Sequence, residues 1–295
     1  MDLAKEISLM LIKFKNNSLA EIRKGTIAAL KHYDKDEADH IFFLIAEFHL
    51  NIIKSSYLFN QERALSESEI LHFEKAALRL NKGEPIQYIL GECEFLDCKI
   101  RVNPSVLIPR PETEELVDLI LKENNKQHIS LLDVGTGSGC IPISLKKSRP
   151  LWDVSAIDVS EEALLTARQN AAYNKTTVHF RHQDLFEIEA LSKSLDVIVS
   201  NPPYVEQSRK KRLAPHVVNH EPHLALFVPD EDPLIYYRKL ESLARKHPNA
   251  LLKLYFEINE AFPQETRELF DRDIWNTRIE KDLSRLPRFL CVSKN

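Results

Sequence analysis

The sequence of 295 residues is poor in cysteine and has no long apolar run, and both features exclude classes of protein. Its four cysteines, at positions 93, 98, 140 and 291, form no Cys-x-x-Cys pair and lack the spacing of a zinc site. Free thiols in a reducing compartment are therefore expected. No run approaches the roughly 18 apolar residues that a membrane span needs. The net charge of −4 does not call for nucleic acid or an anionic membrane as partner.

The amino-terminal segment MDLAKEISLMLIKFK lacks the uninterrupted apolar stretch of a signal peptide. Lys5, Glu6 and Lys13 lie among its apolar residues. We therefore predict an amphipathic helix here and a cytoplasmic protein.

Proline is absent from residues 1–82, and Gly25 is the single glycine there. Ser18 with Glu21, and Ser66 with Glu69, have the spacing of a helix capping box. These features predict a small all-helical domain of four or five helices over residues 1–82. One apolar helix face is predicted from helical spacing, formed by Ile41, Leu44, Ile45, Phe48 and Ile52.

The charges of this amino-terminal region balance, with 12 Lys and Arg residues against 12 Asp and Glu residues in 1–82. A surface that binds phosphates nonspecifically is basic, so contact with a protein substrate is the favoured function. A purely structural cap is the alternative that the composition leaves open.

The pattern changes after residue 82. Residues 83–108 contain short β-prone runs broken by Gly91, Asp97 and Pro104, which predict a β-hairpin linker. From residue 109 to 295, strand and helix patterns alternate, which predicts an α/β domain with a Rossmann-like parallel sheet. The carboxyl-terminal runs leave no room for a helix between them and predict a terminal antiparallel hairpin. The predicted strands cover residues 129–134, 153–158, 177–181, 195–200 and 250–258.

The glycine-rich run LLDVGTGSGC follows the first predicted strand of this domain. Its glycines at 135, 137 and 139 permit close approach of a ligand to the backbone at a helix amino terminus. A dinucleotide fingerprint would need a glycine at position 140, where the chain has Cys140. No Gly-Lys-Ser/Thr follows, so a Walker-type phosphate loop is not indicated. The loop is a candidate nucleotide-cofactor site formed by Gly135, Thr136, Gly137, Ser138 and Gly139.

Two acidic residues lie at the ends of the next two predicted strands. Asp158 can accept hydrogen bonds from the two hydroxyls of a ribose, although a turn or helix-start role is the alternative. Asp184 is placed for an adenine amine, with Leu185 or Phe186 as an apolar wall, although aspartate is also common in turns. The carboxyl ends of these strands are therefore predicted to hold an adenosine-like cofactor.

The run Asn201-Pro202-Pro203-Tyr204 ends the fourth predicted strand of the sheet, on the same rim. The two prolines fix the shape of the loop, and their carbonyl groups remain free acceptors. Asn201 offers a further oxygen, and Tyr204 offers a ring that can pack on a flat amide or base. No strong base or covalent nucleophile is present. The predicted chemistry is therefore positioning of a planar nitrogen, with the electrophile supplied by a cofactor.

These motifs together resemble those of class I S-adenosylmethionine-dependent methyltransferases. The runs GEPIQYILGECEF, VLIPRPETEELVD, LLDVGTGSGC, SNPPYV and EPHLALF are similar to those of the PrmC/HemK family of release factor glutamine methyltransferases. The resemblance extends from about Gly83 to the carboxyl terminus, and the segment Ile108 to Glu114 is its most discriminating part. The Asn-Pro-Pro-Tyr run alone is shared with adenine methyltransferases and with the related glutamine methyltransferase of a large-subunit ribosomal protein.

The resemblance implies an enzyme that methylates N5 of the glutamine in the Gly-Gly-Gln motif of peptide chain release factors. It implies that residues 135–139, Asp158, Leu185 and Asn201 contact S-adenosylmethionine, and that residues 201–204 hold the glutamine. The partner is then a release factor, without direct nucleic-acid contact, membrane or metal, and the enzyme is expected to be a monomer. The chain departs from the family pattern at residues 228–233 and at Asn259, where a glycine is usual.

Two other functions are compatible with parts of the pattern. An adenine-N6 methyltransferase would use the same loop but needs a basic groove or a recognition domain for nucleic acid. A noncatalytic binding module would retain only cofactor affinity. The intact combination of glycine loop, acidic residue and Asn-Pro-Pro-Tyr favours the protein methyltransferase.

Overall fold

The structure, a computed structural model, describes residue 12 and residues 14–295, and its contacts divide the chain into the units Met1–Gly91 and Glu92–Asn295. The amphipathic helix predicted at the amino terminus falls mainly on residues 1–11 and 13, outside the described part. The predicted linker, residues 83–108, is divided between the two units, with a helix in the first and a hairpin in the second.

The first unit is helical, as predicted. Its described α-helices are α1 (Leu19–Ala29), α2 (Lys35–Leu50), α3 (Tyr57–Asn60), α4 (Glu67–Leu80) and α5 (Ile86–Leu90). At the start of α4, Ser66 and Glu69 form the complete capping box. At the start of α1, Ser18 accepts from the Glu21 N–H, while the Glu21 carboxylate accepts from the Lys15 N–H, so only half of the predicted box forms.

The core of the first unit lies between α1, α2 and α4. The ring of Phe42 stacks on that of Phe73 with 5.2 Å between centroids. The prediction that Phe48 belongs to the apolar face of α2 is wrong, because this side chain is 43% exposed. Adjacent apolar residues such as Phe42 and Phe43 allow more than one face, and periodicity alone does not select the buried one. The buried side chains of α2 are those of Ala38, Ile41, Phe42, Phe43, Ile45, Ala46 and Leu50.

In the described residues, no single helix has the length and apolar composition of a membrane span. Lys35–Leu50 and Lys54–Asn60 meet that test only as a pair, bent by 87°.

The second unit is the predicted α/β domain. It opens with the antiparallel hairpin β1 (Glu92–Phe95) and β2 (Cys98–Arg101). The remaining strands are β3 (Ser130–Val134), β4 (Asp153–Asp158), β5 (His179–His182), β6 (Val197–Ser200), β7 (Val205–Glu206), β8 (Phe227–Val228), β9 (Lys253–Glu257), β10 (Trp275–Lys281) and β11 (Pro287–Lys294). The α-helices are α6 (Pro111–Glu123), α7 (Cys140–Ser148), α8 (Glu161–Tyr173), α9 (Pro215–His220), α10 (Ile235–Arg245) and α11 (Pro263–Glu268).

Seven of the described strands form one sheet in the order β10-β11-β9-β6-β3-β4-β5. The five strands from β9 to β5 are parallel, and β11 pairs antiparallel with both β9 and β10. The predicted terminal hairpin is thereby confirmed. The chain order reverses at β3, between β4 and β6, and ligands of such sheets bind at the carboxyl ends of the strands beside this reversal.

Candidate active site

The glycine loop connects β3 to α7 and is tied to the neighbouring strand. The N–H groups of Gly135 and Thr136 both donate to the Ile157 carbonyl of β4, at 3.0 and 3.1 Å. Gly139, at φ +80°, starts α7, and a Cβ built there would lie 3.0 Å from Ile143 Cδ1 and 3.1 Å from Ala167 Cβ. Both the backbone conformation and the close packing therefore require glycine at this position.

Asp158 ends β4 beside the glycine loop, as the sequence predicted. Its Oδ2 accepts from the Gly137 N–H at 2.8 Å, and its Oδ1 accepts from the Ser160 N–H at 2.9 Å. Burial raises the pKa of this carboxyl, and the backbone hydrogen bonds oppose that effect. Each carboxylate oxygen keeps a further lone pair, so the group can also accept from a bound ligand.

A cavity of about 450 Å³ lies at this end of the sheet. Most of the predicted site residues line it: Gly135, Thr136, Gly137, Ser138, Asp158, Asp184, Leu185, Asn201, Pro202 and Pro203. Gly139 and Tyr204 are not among its lining residues. The volume is in the range of small-molecule and cofactor sites.

Asp184 follows β5 and caps a short 3₁₀ helix, Leu185–Glu187. Its Oδ1 accepts from the Phe186 N–H at 2.8 Å, and Leu185 is buried. The ring of Phe186 lies 5.3 Å from that of Tyr236, which also lines the cavity. Sequence reasoning missed Tyr236, because no motif around α10 connects it to the loops that precede it by more than 30 residues.

The Asn-Pro-Pro-Tyr loop follows β6. Asn201 lines the cavity, whereas the Tyr204 hydroxyl is directed toward Glu257. Asn201 Nδ2 donates to Thr113 Oγ1 at 3.2 Å. The Tyr204 hydroxyl donates to Glu257 Oε1 at 3.1 Å, and the Asn259 side chain donates to the Tyr204 carbonyl at 2.9 Å. The hydroxyl of Tyr204 is thus already occupied by Glu257. The predicted contact of the Tyr204 ring with the substrate stays a prediction.

The segment that contains Arg110 forms a second wall of the cavity, which sequence reasoning had not predicted as a contact surface. The Arg110 guanidinium donates to Glu221 Oε1 at 2.5 Å, and the Glu221 side chain is fully buried. The Ile108 N–H donates to the other oxygen of that carboxylate at 3.3 Å. This ion pair joins the IPRPETE and EPHLALF runs. Both runs carry the family resemblance, but the sequence analysis assigned them no role. Residues 109, 110, 113, 222, 224 and 225 line the cavity from these two runs, and residues 105–107 line it just before the first.

Asp133 is a further buried acid that the sequence did not single out. It is the fourth of the five residues of β3, and neither of its carboxylate oxygens has a hydrogen-bond partner in the described residues. The Thr136 hydroxyl lies close enough to lower the pKa, without the geometry of a hydrogen bond, and is itself unpartnered. Burial dominates and raises the pKa of Asp133 to about 7.

No group of three or more His, Cys, Asp or Glu side chains within the described part of the chain could hold a metal ion. Of the three histidines at positions 216, 220 and 223, His223 has its Nε2 at 2.8 Å from the Val218 carbonyl.

Two family models match the chain. The PrmC N-terminal domain matches residues 21–91, and the methyltransferase small domain matches residues 113–224. A release factor glutamine methyltransferase of Flavobacterium psychrophilum is 42% identical over 88% of this chain and 93% of its own length. One of Bacteroides thetaiotaomicron is 44% identical over 89% and 95%. The chain belongs to the release factor glutamine methyltransferase family.

The fold of this methyltransferase also has a structural counterpart. The catalytic domain of human Mettl16, solved with an RNA hairpin, is 15% identical and superposes with a TM-score of 0.50 over 77% of this chain and 82% of that chain. At this identity the likeness concerns the fold alone. The residues of the cavity fit S-adenosylmethionine, the cofactor of class I methyltransferases. They combine a backbone cradle at residues 135–138, an acceptor at Asp158 and an apolar wall at Leu185.

Proposed function

We propose that this enzyme transfers a methyl group from S-adenosylmethionine to N5 of the glutamine in the Gly-Gly-Gln motif of a release factor. The observation that carries the proposal is the position of Asn201 and Pro202, two rigidly held acceptors at the rim of a cofactor-sized cavity. Neither Asn201 Oδ1 nor the Pro202 carbonyl accepts a hydrogen bond from another described residue. Membership of the family supports the choice of substrate.

The chain's own contribution to the reaction is positioning. An amide nitrogen is a weak nucleophile because its lone pair is delocalised into the carbonyl. Asn201 Oδ1 and the Pro202 carbonyl would accept the two hydrogens of the glutamine amide and hold its nitrogen still. The bound cofactor supplies an electrophilic methyl group on a sulfonium. Residues 135–138, Asp158 and Leu185 would hold that cofactor, with Asp184 placed for the adenine amine.

The direct test is transfer of labelled methyl from S-adenosylmethionine to purified release factor. A release factor with Gln→Ala in its Gly-Gly-Gln motif is the matched control, and a DNA duplex and a transfer RNA are rival acceptors. We expect label on the intact release factor only. Label on nucleic acid would replace the proposal with adenine methylation, and label on the Gln→Ala protein would move the site.

We also propose that the helical region, residues 1–82, recognises the release factor. Support comes from its large exposed apolar side chains, Leu58 at 71% and Phe59 at 91% exposure. Such side chains are suited to burial against a protein partner. Phe59→Ser should raise KM for the release factor several-fold and leave cofactor affinity unchanged. An unchanged KM would argue for a purely structural role of this side chain.

We also propose that the enzyme acts in the cytoplasm as a monomer and does not contact nucleic acid directly. The net charge of −4 supports the last point, because it gives the chain no overall attraction for phosphates. Light scattering at micromolar concentration should give the mass of a single chain, and a dimer mass would contradict this part of the proposal.

A further inference from the structure

A buried hydrogen-bond chain lies behind Asn201. Thr113, near the start of α6, is 3% exposed, and Glu257, the last residue of β9, is 2% exposed. Thr113 Oγ1 lies 2.7 Å from Glu257 Oε2 and 3.2 Å from Asn201 Nδ2. The three side chains come from positions 88 and 56 residues apart in the sequence, so no local motif connects them.

The number of protons available in this series of hydrogen bonds determines which group donates and which accepts in each one. Burial raises the pKa of Glu257, while the hydrogen bonds from Thr113 and Tyr204 and the charge of Arg288 oppose that effect. With Glu257 ionised, its carboxylate can only accept hydrogen bonds, and each hydroxyl can donate one. Glu257 Oε1 accepts a hydrogen bond from the Tyr204 hydroxyl, and its Oε2 accepts one from the Thr113 hydroxyl. Thr113 then has only lone pairs to offer Asn201, which must turn its NH₂ group toward the threonine.

The opposite end of the Asn201 amide is its oxygen. Oδ1 accepts no hydrogen bond from other described residues, and Asn201 lines the cavity. An oxygen can accept from the NH₂ of a substrate amide, whereas a reversed Asn201 would oppose one NH₂ group to another. The orientation of this side chain therefore decides whether a glutamine amide is bound or repelled.

We propose that Thr113 is a positioning residue for glutamine methylation. Its hydroxyl donates to Glu257 and accepts from the NH₂ group of Asn201, and this fixes the Asn201 amide with its oxygen toward the substrate. This inference rests on the proposed function and adds a residue to it. Thr113 would act through Asn201 and would not determine cofactor affinity.

Kinetics of two threonine variants test the role. Thr113→Val keeps the side-chain shape and removes the hydroxyl, so the Asn201 NH₂ loses its partner. We expect kcat/KM for the release factor to fall roughly tenfold to a hundredfold, as for a lost hydrogen bond with one group left unpaired. The dissociation constant of S-adenosylmethionine should stay within about twofold. Thr113→Ser, which keeps the hydroxyl, should restore most of the activity.

Thr266→Val, on α11 of the same unit, is the matched control. Thr266 is fully buried and its hydroxyl donates to the Phe262 carbonyl at 2.7 Å, so the same change removes a buried hydroxyl outside the site and should leave kcat/KM unchanged. A double-mutant cycle separates the mechanism from general damage. Adding Thr113→Val to Asn201→Ala should cost little more than Asn201→Ala alone, because the two act through one interaction. Additive losses would overturn the proposal.

A spectroscopic measurement tests the orientation independently of the substrate. In a deuterated, ¹⁵N-labelled protein with protonated threonine methyl groups, the side-chain NH₂ of Asn201 should show nuclear Overhauser contacts to the Thr113 methyl group. Absence of these contacts would show a reversed amide and overturn the inference even if the enzyme methylates its substrate. Absence of methyl transfer by the wild type, with the amide oriented as described, would instead refute the proposed function.

Discussion

Replacement of Asp133 by asparagine should change how the stability of the protein depends on pH. The carboxyl group is fully buried in β3, its oxygens have no hydrogen-bond partner in the described residues, and burial raises its pKa from 3.8 to about 7. Between these values the folded protein keeps the proton and the unfolded chain releases it. The unfolded chain therefore binds fewer protons, and the free energy of unfolding falls as pH rises through this window.

The magnitude follows from the size of the shift. Each unit of pKa difference corresponds to about 1.4 kcal/mol, so the two pH units between 5 and 7 reduce stability by about 3 kcal/mol through this group. Above pH 7 both states are ionised and the loss levels off. Asparagine carries no charge, so Asp133→Asn should gain about 3 kcal/mol relative to the wild type between pH 5 and pH 8.

Urea unfolding of the cofactor-free protein at pH 5, 6, 7 and 8 measures the effect as the difference between variant and wild type, so other titrating groups cancel. Asp118→Asn is the matched control in the same unit, because its side chain is exposed on α6. A difference for Asp133→Asn that stays constant within about 1 kcal/mol over this range would refute the reasoning from burial.

Three further predictions concern the cofactor loop and the helical unit. Asp158→Ala removes a carboxylate at the cavity and should raise the dissociation constant of S-adenosylmethionine roughly tenfold or more, as measured by calorimetry; an unchanged value would exclude the ribose role. Gly139→Ala should lower the free energy of unfolding by about 1–3 kcal/mol, and by more than Gly91→Ala does. Both glycines have positive φ, but only position 139 lacks room for a Cβ, so equal losses would contradict the packing argument. Ser66→Ala should cost about 1 kcal/mol of stability by urea unfolding, and no loss would mean that the capping box is not stabilising.

The parallel strands and the cofactor loop could be predicted from the sequence because local rules determine them. The strand Asp153–Asp158 has the bounds predicted for it. Strands of a buried parallel sheet are short apolar runs, and turn residues mark their ends. The position of Asp158 beside the glycine loop follows from adjacent parallel strands ending at one edge.

The contacts behind the site could not be predicted, because they join residues far apart in the chain. Thr113 and Glu257 are 144 positions apart, and their hydrogen bond depends on how α6 packs beside β9. The pairing of Arg110 with Glu221 likewise depends on tertiary packing. The choice of buried face on α2 failed for a related reason, since packing against α1 and α4 selects among several apolar faces.

The most direct test of the central claim is mass spectrometry of the release factor peptide that contains Gly-Gly-Gln, after incubation with S-adenosylmethionine and enzyme. The account predicts one added methyl group on the glutamine side chain. It predicts roughly 10²-fold slower transfer by folded Asn201→Ala, and wild-type rates for Asn276→Ala, an exposed asparagine on β10. A methyl group elsewhere in the release factor, or an undiminished rate with Asn201→Ala, would contradict it.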